Sequence, residues 1–310
     1  MKKTLTFLSA FIFVGTSLAQ NVNIPDVNFK TYLLSNSLIN TNSDNEIQVS
    51  EAQTFTGEIY AANLNMTNPI SDLTGIEAFV NIYFLDVRFN QLTSLNLSNN
   101  TLLWHVACND NLLTNIDVSN CTALEYLYCG NNQLTSLNVS NNTALRDLGC
   151  ANNQLTTLDI SQNTSLENLY CNNNLLTNLN TSNNTYLLLL ECDYNQLTSL
   201  DISNNTAQTK LTCNNNQLTS LNVANGLNSS VGVGNFQRFW VFANPNLECI
   251  KVDNSQFSIA NWENGTTANQ DVFVYDIGVN FSESCSSAVL NESNLVTFNL
   301  YPNPATTSIT

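Results

Sequence analysis

From Ile82 to Asn228 the apolar positions recur every 21 residues, through seven consecutive coils. In one coil they are Leu124, Leu127, Cys129, Leu134, Leu137 and Val139. Leu127 and Cys129 alternate with Tyr126 and Tyr128, a period of two that predicts a short strand with one buried face. Leu137 and Val139 form a second alternating pair, which predicts an extended return along the opposite side. Cysteine fills one column at Cys108, Cys129, Cys150, Cys171, Cys192 and Cys213. Asparagine fills another at Asn90, Asn111, Asn132, Asn153, Asn174, Asn195 and Asn216. Its amides are expected to point inward and bond backbone groups that the turns leave unpaired. Six buried side chains at ~2 kcal/mol each contribute ~12 kcal/mol gross per coil. Ordering a coil's backbone costs at least ~20 kcal/mol. A single coil therefore cannot fold alone, and stacking is obligatory.

The pattern weakens at both ends. Residues 59–81 read as a degenerate entry coil carrying Ile59, Leu64, Met66, Ile70, Leu73 and Ile76. Residues 20–58 precede it as a cap, with helical spacing of Val27, Tyr32, Leu34 and Leu38 and a second helix opening at Ser50. Past Asn228 the period breaks, and residues 229–285 are expected to cap the other end.

The motif Leu-x-x-Leu-x-Cys-x-x-Asn-x-Leu resembles the leucine-rich repeat, with Cys in the third Leu position. Ile70 to Phe79 is similar to the entry repeat of internalin-type proteins. The resemblance implies a repeat solenoid, a right-handed β-solenoid or horseshoe with a parallel sheet and a small helical N-terminal cap.

Composition agrees with a repeat. Asn and Leu number 56 and 43 of 310 residues. The formal net charge is −16, which disfavours nucleic acid and anionic membranes as partners. Residues 1–19 combine a basic start (Lys2, Lys3), an apolar stretch and the small-residue exit Ser17-Leu18-Ala19, the layout of a secretory signal peptide. The apolar run is too short for a spanning helix. Residues 286–310 form a linker and a second address, because Tyr301-Pro-Asn-Pro-Ala-Thr306 resembles the opening of the type IX (Por) sorting domain of Bacteroidetes. The stretch from Tyr301 to Thr310 is too short for a complete sorting domain, so the sequence is expected to be a piece of a longer chain.

Candidate chemistry is sparse. His105 is the single histidine and lies three residues before Cys108, an odd separation that puts the two on opposite faces of a strand and removes a nucleophile–base dyad. The cysteine column lacks the close pairs of zinc sites and is expected to be a reduced, packed core. Cys249 and Cys285 sit in the terminal cap of an exported chain, where a disulfide persists. Cys121 is then the odd thiol, expected in an exposed turn. Residues 40–51 resemble the calcium loop of an EF-hand, with Asn40, Asn42, Asp44, Glu46 and Glu51 as the ligand set. Only Asp44 and Glu51 bring charge that the motif calls for, so affinity is expected in the ~10⁻⁴–10⁻³ M range.

The outward positions of the strands vary where every other column barely changes. Tyr128 and Tyr170 share one column across Gly149, which predicts a slot with two aromatic walls. Tyr126, Asp147 and Asn168 line the neighbouring column and add a hydroxyl, a carboxylate and an amide. These residues predict a secreted or surface-attached, non-catalytic protein that binds a macromolecule, protein first and glycan second. A passive spacer, or a non-catalytic region of a larger secreted enzyme, are the alternatives.

Overall fold

A computed structural model describes residues 20–65, 67–227, 237–262 and 273–285. The signal-peptide reading of residues 1–19 and the sorting reading of 286–310 lie outside the described residues. The repeating strands are β1 (Glu58–Tyr60), β2 (Phe84–Asp86), β3 (His105–Ala107), β4 (Tyr126–Tyr128), β5 (Asp147–Gly149), β6 (Asn168–Tyr170) and β7 (Leu189–Glu191). After β7 the chain alternates between two sides. β8 (Ser199–Asp201), β10 (Ser220–Asn222), β12 (Cys249–Lys251) and β14 (Asn280–Ser282) form a second sheet, while β9 (Lys210–Thr212), β11 (Arg238–Trp240) and β13 (Phe273–Val274) extend the first. The main sheet has ten strands in the order β1-β2-β3-β4-β5-β6-β7-β9-β11-β13, and all its pairs are parallel.

The asparagine column explains how a three-residue strand is followed by so tight a turn. Asn132 Nδ2 donates to the carbonyls of Cys108 (3.0 Å) and Cys129 (3.1 Å), and its Oδ1 accepts from Leu113 N–H (2.9 Å). Each amide thus closes its own turn and ties it to the coil before. The residue just ahead of each ladder asparagine is left-handed, from Phe89 (φ 58°) through Asn131 (φ 51°) to Ala243 (φ 56°). That conformation costs roughly 1–2 kcal/mol for a side chain such as Phe. The buried amide bonds hold the coil there.

A second buried ladder is present that the repeat pattern alone does not reveal. Asn100, Asn142, Asn163, Asn184 and Asn205 are fully buried. Asn163 Nδ2 donates to the carbonyls of Val139 (3.0 Å) and Asn142 (2.8 Å), and the others repeat the pattern one coil on. Cys121 occupies this column, so the expectation of an exposed turn thiol is corrected: Cys121 is buried, and its Sγ donates to Asn100 O at 3.7 Å. A thiol takes the place of an amide because the column faces inward.

The six-cysteine column is likewise buried and reduced. Burial pushes the Cys129 thiol up to about 12, which leaves it without a nucleophilic thiolate. Cys249 and Cys285 form a disulfide with Cα atoms 5.9 Å apart.

Residues 237–262 and 273–285 continue both sheets. β11 pairs with β9 although Arg238 follows its partner Lys210 by 28 residues, and β13 pairs with β11 in turn. Trp262, at the end of α3 (Ser255–Asn261), fills this terminus and stacks on Phe273 with ring centroids 5.1 Å apart. At the other end α1 (Val27–Ser35) is capped by Asp26, whose Oδ1 accepts from the N–H groups of Asn28 (2.9 Å) and Phe29 (3.0 Å). Its buried residues are Phe29 and Leu33, whereas Val27 and Leu38 are 72% and 74% exposed. The apolar face expected from Val27 and Leu38 is therefore corrected: Phe29 and Leu33, four apart, give the true stripe.

Candidate functional site

In-register pairing sorts the outward side chains of the main sheet into two columns. One aligns Glu58, Phe84, His105, Tyr126, Asp147 and Asn168. The other aligns Tyr60, Asp86, Ala107, Tyr128, Gly149 and Tyr170. The rings of the first column stack along the solenoid, and Tyr60 of the second joins them. Tyr60 leans onto Phe84 at 4.7 Å, Phe84 stacks on His105 at 4.2 Å, and His105 on Tyr126 at 5.8 Å. Trp104 turns its ring edge-on to this stack, 5.6 Å from both His105 and Tyr126. Burial against these rings holds the His105 imidazole below the usual histidine range, and the Arg88 guanidinium acts the same way against the opposing pull of Asp86. His105 is thus an uncharged ring near neutral pH.

The expected slot over Gly149 does not form, and this is a correction. A Cβ built on Gly149 would lie 2.9 Å from Tyr128 Cδ1, so the Tyr128 ring itself covers the glycine. The ring is held there because its hydroxyl donates to Asp147 Oδ2 at 3.1 Å. Asn168 Nδ2 donates to the other oxygen of Asp147 in a short bond. Burial first, and then the Asp147 charge, push the Tyr128 hydroxyl well above the usual tyrosine range. The structure thus brings Tyr126, Tyr128, Asp147, Gly149 and Asn168 together as a closed patch, and Tyr170 stands half-buried beside it.

An open cleft lies on the other side of Tyr128. Tyr60 and Tyr128 are its walls, because the two column positions between them carry only Asp86 and Ala107, both buried. Its volume is about 340 Å³, and Phe84, His105, Arg88 and Asn109 complete the lining. Arg88 grips Asp86 bidentately, Nε to Oδ1 at 2.9 Å and Nη2 to Oδ2 at 2.7 Å. This cleft is a different site from the slot expected over Gly149, and neither Gly149 nor Tyr170 lines it. Tyr60 is not among the residues expected from sequence because it belongs to the irregular entry coil. The available signal was its place after Ile59, which matches that of Tyr128 after Leu127.

Toward the C-terminal end the face becomes charged. Arg238 reaches Glu191 at 3.3 Å and lies 4.9 Å above the Trp240 ring. Asp193 accepts from the Thr212 hydroxyl and from Asn214 N–H (2.9 Å), and burial pushes its carboxyl up.

The calcium-like loop is arranged around donors. Glu51 Oε1 accepts from Thr41 N–H (2.8 Å), the Thr41 hydroxyl (2.9 Å) and Asn42 N–H (3.3 Å), while Oε2 accepts from Gln48 N–H (3.0 Å). Asn42 turns its Nδ2 toward Asp44 Oδ2 (2.9 Å), Asn40 donates to Asp44 O (3.0 Å), and Glu46 pairs with Lys30 at 2.7 Å. With these donors on it, Glu51 caps α2 (Val49–Thr54). Burial alone would raise the Glu51 carboxyl, but the four donors outweigh it and hold the group below the usual carboxylate range. A depressed folded-state value means stability that is present above the unfolded value near 4.5 and lost as pH falls through the lower folded value. Glu51→Gln is expected to lower stability by ~1–3 kcal/mol at neutral pH and to flatten that acid-side loss. Melting curves in millimolar calcium and in chelator should coincide; a calcium-dependent rise that Glu51→Gln removes would place the ion in the loop.

No protein-family model matches the sequence, and no curated protein matches it. Among solved structures, the functional domain of InlJ from Listeria monocytogenes, which includes a cysteine ladder, is similar at 28% identity with a TM-score of 0.51. The match covers 86% of this chain but 62% of that one, so this chain spans less than two thirds of that relative. Internalin C2 from Listeria monocytogenes is similar at 19% identity and a TM-score of 0.57, over 76% of this chain and 99% of that one, and shows the fold alone. The chain is a leucine-rich-repeat solenoid with internalin-like structural neighbours.

Proposed function

We propose that this protein is exported and binds a protein partner at the cell exterior through the strand face of its solenoid. The observation that carries the reading is the aromatic stack of Tyr60, Phe84, Trp104, His105 and Tyr126 on that face. Exposed columns elsewhere repeat from coil to coil, as Thr135, Thr156 and Thr177 do. Large rigid rings bring contact area at low entropy cost, which is why they anchor interfaces. The role is binding without catalysis. His105 is wedged between rings, each oxygen of Asp147 accepts from a neighbouring side chain, and the cysteine column is buried. Residues 1–19 support export, and Tyr301 to Thr306 support attachment at the outer surface by a sorting system.

The test screens the full chain and a Trp104→Ala/Tyr126→Ala variant of equal thermal stability against an array of extracellular proteins. A partner held by the parent and weakened at least tenfold in the variant supports the reading. Partners held equally by both would move the site off this face.

A further inference from the structure

The cleft between Tyr60 and Tyr128 on the strand face has room for a visitor, about 340 Å³. Its two sides have opposite character. Phe84, His105 and the tyrosine walls make an apolar, aromatic side. Asp86, Arg88 and Asn109 make a polar one. Asn109 brings an amide to the lining, and its Oδ1 has no hydrogen-bond partner among the described residues.

Charge selects the donor. Each arginine that forms an ion pair here is already tied to a carboxylate: Arg88 to Asp86 (2.7 Å), Arg146 to Glu167 (2.6 Å) and Arg238 to Glu191 (3.3 Å). Glu58, Asp110 and Asp147 form no ion pair among the described residues, so carboxylates remain in excess along the face. His105 adds no positive charge near neutral pH. The chain as a whole carries −16. A surface of that sign draws cationic partners and repels anionic ones.

Resting on the strand-face reading, we propose that the Tyr60–Tyr128 cleft seats a basic side chain, lysine or arginine, of the partner protein. The aliphatic stem lies between the tyrosine walls and the cationic head meets ring faces beside the Asn109 amide. Rings and cations attract through the ring quadrupole, and the long stems of both basic residues bury well against apolar surface. Arg88 does not oppose the visitor, because its charge is cancelled by the bidentate grip on Asp86.

Trp104 reports on the site, being part of the ring stack and partly exposed. Its fluorescence is followed in the full chain carrying Trp240→Phe, while Trp262 stays buried as a constant background. The probes are the blocked tripeptides Gly-Arg-Gly, Gly-Lys-Gly, Gly-Glu-Gly and Gly-citrulline-Gly, with methyl glucoside as a neutral saccharide. The expected result is a saturable change with the arginine and lysine peptides that weakens with added salt and is absent with the other three. Asn109→Leu should weaken it at least tenfold, and Ala107→Phe, which fills the floor, should abolish it. An equal response to the citrulline peptide, or a response to methyl glucoside alone, would overturn the assignment, as would no response to either basic peptide. If the basic peptides fail while a partner dependent on Trp104 and Tyr126 still binds, this assignment falls and the strand-face reading stands. If the peptides bind but no partner depends on that face, the reverse holds.

Discussion

Asn153→Ala is expected to cost ~2–5 kcal/mol of stability, more than any exposed substitution on the solenoid, because it leaves one buried N–H unpaired at ~1–3 kcal/mol and removes a donor from two buried carbonyls at ~0.5–1.5 kcal/mol each. The N–H is that of Leu134, which donates to Asn153 Oδ1 at 2.9 Å; the carbonyls are those of Cys129 and Cys150, each 3.1 Å from Nδ2, which keep Asn132 and Asn174 as their other donors. The neighbouring coils share the loss, since Asn153 ties its own turn to the coil before it. Asn141→Ala is the matched control. Asn141 is exposed and its amide donates only to Ser119 O at 3.2 Å, so its removal should change stability by less than ~1 kcal/mol. Urea denaturation followed by circular dichroism separates the two. Equal midpoints would mean that the ladder amide is not what holds the turn.

Trp262→Ala is expected to open the C-terminal coils while the central ones stay folded. The indole is fully buried and touches Phe239 (5.0 Å), Phe273 (5.1 Å) and Phe281 (5.3 Å) between ring centroids. It therefore bridges both sheets, since Phe239 and Phe273 lie on β11 and β13 and Phe281 on β14. Truncating a core tryptophan costs ~3–5 kcal/mol. In a solenoid that loss is local, because each coil contacts only its neighbours. Hydrogen exchange should show the amides of Arg238–Trp240 and Cys249–Lys251 losing protection while those of Tyr126–Tyr128 and Asp147–Gly149 keep it. Uniform loss along the chain would show a single cooperative unit.

The coil frame was legible because a repeat states the same rule seven times: Leu127, Cys129 and Asn132 each sit in a column whose burial is unambiguous. The second ladder was hidden by the doublet Asn141-Asn142. Two adjacent asparagines look alike in sequence, yet Asn141 is exposed and Asn142 fully buried. Cys121 was misplaced for the same reason, since its column had not been recognised as inward. At the binding face, register alone placed Tyr128 opposite Gly149, but register does not set rotamers. The Asp147 carboxylate does, by drawing the Tyr128 hydroxyl over the glycine and opening the cleft on the Tyr60 side instead. Past Asn228 the sequence shows only an irregular coil over residues 239–252, because insertions lengthen the repeat, although β11 and β13 go on extending the main sheet in parallel.

The claim that repetition builds the scaffold and departure from it builds the binding face is tested most directly by oxidative footprinting of the protein with its partner. Tyr60, Trp104 and Tyr126 should lose reactivity on complex formation, while Tyr186 and Tyr194, which are 65% and 55% exposed away from the strand columns, should keep it. Protection of Tyr186 and Tyr194 with the three strand-face rings unchanged would contradict the account.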